Sequence, residues 1–78
     1  MDYQGLAKMF DERTAVNGAD YQTTVKEVKA LLEAKGAEID VDSRGDWMKL
    51  VIFISDEEWL VRISASGCEI SQISNMIM

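Results

Sequence analysis

Three carboxylates at alternate positions, Glu38, Asp40 and Asp42, are the residues of this chain whose spacing most invites a chemical reading. On a strand, alternate side chains share a face and stand about 6.6 Å apart. That is of the order of the phosphate spacing along a nucleic-acid strand, while the plainer reading is a solvated strand face whose charge also discourages edge pairing. Asp46, Asp56, Glu57 and Glu58 follow, so the segment from Glu38 to Glu58 holds seven acids against Arg44 and Lys49. Most of the formal charge of −6 resides there. Such a field attracts basic partners and repels nucleic acid and anionic membranes. Direct binding through phosphate contacts would need a basic footprint that the chain lacks.

Other chemistries find few parts. There is no histidine, the commonest general acid–base residue near neutral pH and a frequent metal ligand. The single Cys68 neighbours Glu69, whose charge opposes thiolate formation, and one cysteine cannot build an intrachain disulfide. No glycine-rich phosphate loop and no cofactor motif is present. Asp40 to Asp46 opens like a calcium loop. However, Arg44 stands where an oxygen ligand is needed, and Val51 replaces the closing glutamate. Arg44-Gly45-Asp46 matches an adhesion tripeptide, but the plainer reading is a hairpin turn with Gly45 at positive φ. The expectation is a protein without enzymatic activity, metal or cofactor.

The elements that would position the acids follow from periodicity. Ala37 to Asp42 alternates, with Ala37, Ile39 and Val41 on the buried face. After a turn at residues 43–46, Trp47 to Ser55 contains the unbroken apolar run Leu50–Ile54, which predicts a strand covered on both faces. Asp56-Glu57-Glu58 reads as the next turn, and Trp59 to Ala65 as a third alternating strand. Ser66-Gly67 then predicts a tight turn into a fourth strand over Cys68–Ser74. The alternative is a closing helix through Ile70, Ile73, Met76 and Ile77.

Two helices precede the strands. Tyr3, Leu6, Met9 and Phe10 recur at helical spacing over residues 2–14, with Asp2 as cap and Asn17-Gly18 as terminator. Tyr21, Val25, Val28, Leu31 and Leu32 define the second apolar stripe. A Thr24–Glu27 capping box competes with Asp20 for its start, and Gly36 ends it. The expected fold is α+β. Residues 1–78 form one domain with two helices on one face of an antiparallel meander of three to four strands.

A helix followed by meandering strands resembles double-stranded-RNA-binding domains and secretion-chaperone-like domains. The former needs a basic start to its second helix, where Cys68, Glu69 and Ile70 stand instead. In size, acidity and missing catalytic groups the chain resembles phage anti-defence inhibitors, including anti-CRISPR proteins, and nuclease immunity proteins. The expectation is a cytoplasmic inhibitor that docks its acidic surface on the basic site of a nucleic-acid-handling protein. The contact set would be Glu38, Asp40, Asp42, Asp46, Asp56, Glu57 and Glu58, with Trp47 or Trp59 as apolar anchor, although the plainer reading of both tryptophans is core. Met1 to Gly5 has no basic start or apolar run, and no segment approaches the ~18 apolar residues of a membrane span. The alternative is an adaptor or chaperone-like homodimer that holds an apolar partner with a sheet edge or with Ile70, Ile73, Met76, Ile77 and Met78.

Overall fold

The computed structural model describes residues 2–73. Helix α1 spans Tyr3–Asn17 and helix α2 spans Tyr21–Glu33. Four strands follow: β1 Glu38–Arg44, β2 Trp47–Ile54, β3 Glu57–Ser64 and β4 Gly67–Ile73. They form one antiparallel sheet in the order β1-β2-β3-β4, with both helices on one of its faces. This is the expected α+β architecture, with the fourth strand present. Residues 68–73 are strand rather than helix, and Met76, Ile77 and Met78 lie outside the described residues.

Directly opposed residues of an antiparallel pair point to the same side of the sheet, so the register fixes both faces. Leu50 lies opposite Val61, and Ile52 opposite Trp59. These four are buried together with Ile63, Leu6 and Phe10 of α1, and Val25, Val28 and Leu32 of α2. At about 25 cal/mol per Å² of apolar surface removed from water, this inner layer is the main source of stability.

The other face of β2 corrects the expectation from its apolar run. Trp47, Lys49 and Val51 are only half-buried and Phe53 is 39% exposed, because both helices pack on the inner face and nothing described covers the outer one. The inner face also has an open corner. Val41 is 37% exposed and Ile39 half-buried, although both share the inner side with Leu50 and Ile52. Tyr3 and Leu31 project into solvent rather than joining the stripes assigned to them.

Several boundaries shift for local reasons. α1 runs on past residue 14 to Asn17, and Gly18 then takes φ 59, the left-handed conformation that favours glycine. Asp20 caps α2: its carboxylate accepts from the Thr23 N–H at 3.2 Å and the Thr23 hydroxyl at 2.7 Å. Thr24 and Glu27 serve elsewhere. The Asn17 carboxamide donates to Thr24 Oγ1 at 3.1 Å and to Glu27 Oε1 at 2.8 Å, tying the end of α1 to α2. Thr24 is fully buried there.

The strands are joined by two-residue turns at 45–46, 55–56 and 65–66. The predicted breaks were displaced or too long, because strand pairing extends to the last residue that finds a cross-strand partner. Arg44 pairs with Trp47, Ile54 with Glu57, and Ser64 with Gly67. Glu57 and Glu58 are therefore strand residues, and only Asp56 of that acidic triplet lies in the turn.

Candidate protein-binding face

The outer face reads as four rows running across the sheet. The first is Arg44, Trp47, Ser64, Gly67. The second is Asp42, Lys49, Arg62, Glu69. The third is Asp40, Val51, Leu60, Ser71, and the fourth is Glu38, Phe53, Glu58, Ile73. Direct neighbours within a row are about 4.5–5.5 Å apart at Cα. On the two middle strands the apolar Trp47, Val51, Phe53 and Leu60 are interspersed with Lys49, Glu58, Arg62 and Ser64, and the edges are charged or polar apart from Gly67 and Ile73. A polar rim around an apolar centre is the usual anatomy of a protein interface.

Charge is graded along this face. In the first two rows the acids meet bases. Arg44 holds Asp42 through Nε at 2.8 Å and Nη2 at 2.7 Å, and Asp42 also lies opposite Lys49. Arg62, opposite Glu69, places its guanidinium carbon 5.6 Å from the ring centroid of Trp47. This is within the range of a cation–π contact. Trp47 and Arg62 line one wall of an open groove of about 870 Å³, which the 65–66 turn and Glu69 complete. The last two rows contain no base. Here Phe53 lies between Glu38 and Glu58, and Glu38, Phe53, Asp56 and Glu58 border a second depression at the 55–56 turn.

The nine residues singled out in the sequence are only partly united by the fold. Glu38, Asp40 and Asp42 do form a row of carboxylates on one face of edge strand β1, but Asp42 is committed to Arg44. Glu58 joins Glu38 on either side of Phe53, and Asp56 lies close by. Asp46 is in the turn at the opposite end of the sheet, beside Trp47. Glu57 points to the inner side, in the same alternation as Trp59. Trp59 is 3% exposed in the core, which leaves Trp47 as the tryptophan available at the surface.

Phe53, Val51, Leu60, Arg62 and Glu69 were missed as face residues. The signal for Phe53 and Val51 was the absence of alternation in β2. Apolar residues at both parities demand a second cover, and the described residues supply one helical layer.

Cys68 is half-buried beside the core. Burial, reinforced by the charges of Asp11 and Glu69, pushes its pKa up to about 11, so the thiol stays protonated at neutral pH. Among the described residues no helix is long and apolar enough to cross a membrane. Comparison with protein-family models, curated proteins and solved structures returns no match to this chain.

Proposed function

We propose that this protein is a non-enzymatic binding module that lays the outer face of its sheet on a basic surface of a partner protein and occludes it. The partner class is a nucleic-acid-handling protein, whose basic groove the base-free end of the face would fill. The observation that carries this reading is Phe53, exposed between Glu38 and Glu58 on a face that neither described helix covers. An aromatic side chain between two carboxylates suits an arginine or lysine, whose stem packs on the ring while its charge meets the acids. Trp47 and Leu60 would extend the apolar contact, and Asp40 and Asp56 would steer the approach.

The test is affinity capture from the native host with the wild-type chain and two variants. One is the Glu38→Gln, Phe53→Ala, Glu58→Gln variant. The other is Lys29→Ala, Glu33→Ala on the exposed i,i+4 pair of α2, 2.9 Å apart. A partner retained by the wild type and the α2 variant but lost by the face variant supports the proposal. The purified partner must also lose nucleic-acid binding when the protein is added. Capture unaffected by the face variant, or a partner whose nucleic-acid binding is unchanged, would overturn it.

A further inference from the structure

The two edges of the sheet are built differently. β1 presents Glu38, Asp40, Asp42 and Arg44 within seven residues. β4 reads Gly-Cys-Glu-Ile-Ser-Gln-Ile, with Glu69 as its one charge. It contains no proline, and it pairs with β3 without a bulge from Gly67 to Ile73. Edge strands that must stay single are usually protected by charges, prolines or bulges. Among the described residues, β4 makes no backbone hydrogen bonds outside its pairing with β3.

We propose that β4 is the seam of a symmetric homodimer. Two copies would pair β4 antiparallel to β4 about a two-fold axis at Ile70, joining their sheets into one of eight strands. Charge, pleat and the length of strand engaged together select this register. An axis at Ile70 engages the whole strand, setting Gly67 opposite Ile73, Cys68 opposite Gln72, and Glu69 opposite Ser71 of the second copy. The serine hydroxyl can donate to that carboxylate, and the contact occurs twice by symmetry. An axis at Glu69 would instead oppose two carboxylates. An axis between residues would set core-side chains against outer-side chains, breaking the continuity of both faces. The same operation on β1, centred on Val41, opposes Asp40 to Asp42 twice. That register also opposes Glu38 to Arg44 twice, so self-pairing of β1 sets repulsive against attractive pairs, whereas β4 paired about Ile70 opposes no like charges. The seam uses an edge and leaves the outer face free, so this inference is independent of the proposed docking.

Gln72→Cys provides the test, because this register places it opposite Cys68 of the second copy. Opposed Cα atoms in an antiparallel pair are about 4.5–5.5 Å apart, within the span of a disulfide. Within one chain the two cysteines would be about 13 Å apart along the strand, too far to bridge. Mild oxidation of the full-length variant should therefore give a covalent dimer on a non-reducing gel. Ser71→Cys, on the opposite face of β4, should give little. Gln72 and Ser71 are both exposed, so the fold should tolerate each change, and circular dichroism checks this.

Sedimentation of the unmodified chain should show a mass rising from 8.8 kDa towards twice that value with concentration. Ser71→Glu should weaken association and Ser71→Lys strengthen it. Each effect should be about threefold to tenfold in Kd for two symmetric pairs. A chain that stays monomeric up to about 1 mM would overturn the proposal. So would a dimer that is indifferent to Ser71 substitutions, or one trapped equally by Ser71→Cys and Gln72→Cys.

Discussion

Arg62 places its guanidinium carbon 5.6 Å from the ring centroid of Trp47, on the face of the sheet opposite to Trp59. The two tryptophans therefore perform different tasks. Trp59→Ala opens a cavity in the core and should cost about 3–5 kcal/mol, a large part of the stability of so small a domain. Trp47→Ala removes a half-buried ring that neither α1 nor α2 covers. Its thermal midpoint should fall much less, while partner binding is lost. Thermal unfolding of both variants separates the roles, and equal destabilisation would place Trp47 in the core.

How far the sequence was legible depended on which interactions decide each feature. Helix α2 and the strand periods were readable because Val25, Val28 and Leu32 on one element, and Val61 and Ile63 on another, repeat locally. The turns were misplaced because pairing, not turn composition, sets them. Ile54–Glu57 forms a cross-strand pair across a turn that contains no glycine. The acidic stripe was visible, but its partial neutralisation was not. Asp42 and Arg44 meet as strand neighbours two positions apart, which a turn beginning at Ser43 would have prevented.

That glycine-free turn carries strain. Ser55 and Asp56 both have positive φ, 51° and 64°, as a two-residue hairpin of this type requires. The left-handed conformation costs an ordinary residue about 1–2 kcal/mol. Replacing Ser55-Asp56 with Asn-Gly should stabilise the protein by about 1 kcal/mol and raise its midpoint by several degrees. A midpoint unchanged or lowered in calorimetry would contradict the turn geometry.

Asn17 is the polar tie between the helices. Asn17→Ala leaves the buried Thr24 hydroxyl without its carboxamide donor and should cost about 1–2 kcal/mol. Asn17→Asp should cost more, because a carboxylate would then face Glu27 at the position where the amide now donates at 2.8 Å. Denaturant unfolding of the two variants should reproduce this order.

Asp20 gives a pH signature. Hydrogen bonds from the Thr23 hydroxyl and then the Thr23 N–H lower its pKa below the ordinary 3.8. A depressed pKa in the folded state stabilises the protein above the unfolded value, and this contribution is lost as pH falls through the folded value. The midpoint difference between wild type and Asp20→Ala should therefore be full at pH 6 and shrink below about pH 4. A difference that persists undiminished at about pH 2 would show that the charge of Asp20 is not what holds the cap.

Ile52 and Phe53 are neighbours on β2, and the same substitution at each should have opposite consequences. Ile52 is fully buried under the helices, opposite Ile39 and Trp59. A lysine there must either carry its charge into the core or lose its proton. Either outcome costs several kcal/mol, enough to unfold a domain of this size. Phe53 lies on the outer face, opposite Glu38 and Glu58, so Phe53→Lys sets an ammonium between two carboxylates in contact with water. Exposed pairs of this kind contribute little, up to about 1 kcal/mol, and the fold should survive. Binding should not survive, since the substitution replaces an aromatic anchor with the charge that the basic partner itself carries. Circular dichroism should show an unfolded chain for Ile52→Lys and a folded one for Phe53→Lys. If Phe53→Lys unfolds as well, the outer face is covered after all, and the docking surface with it.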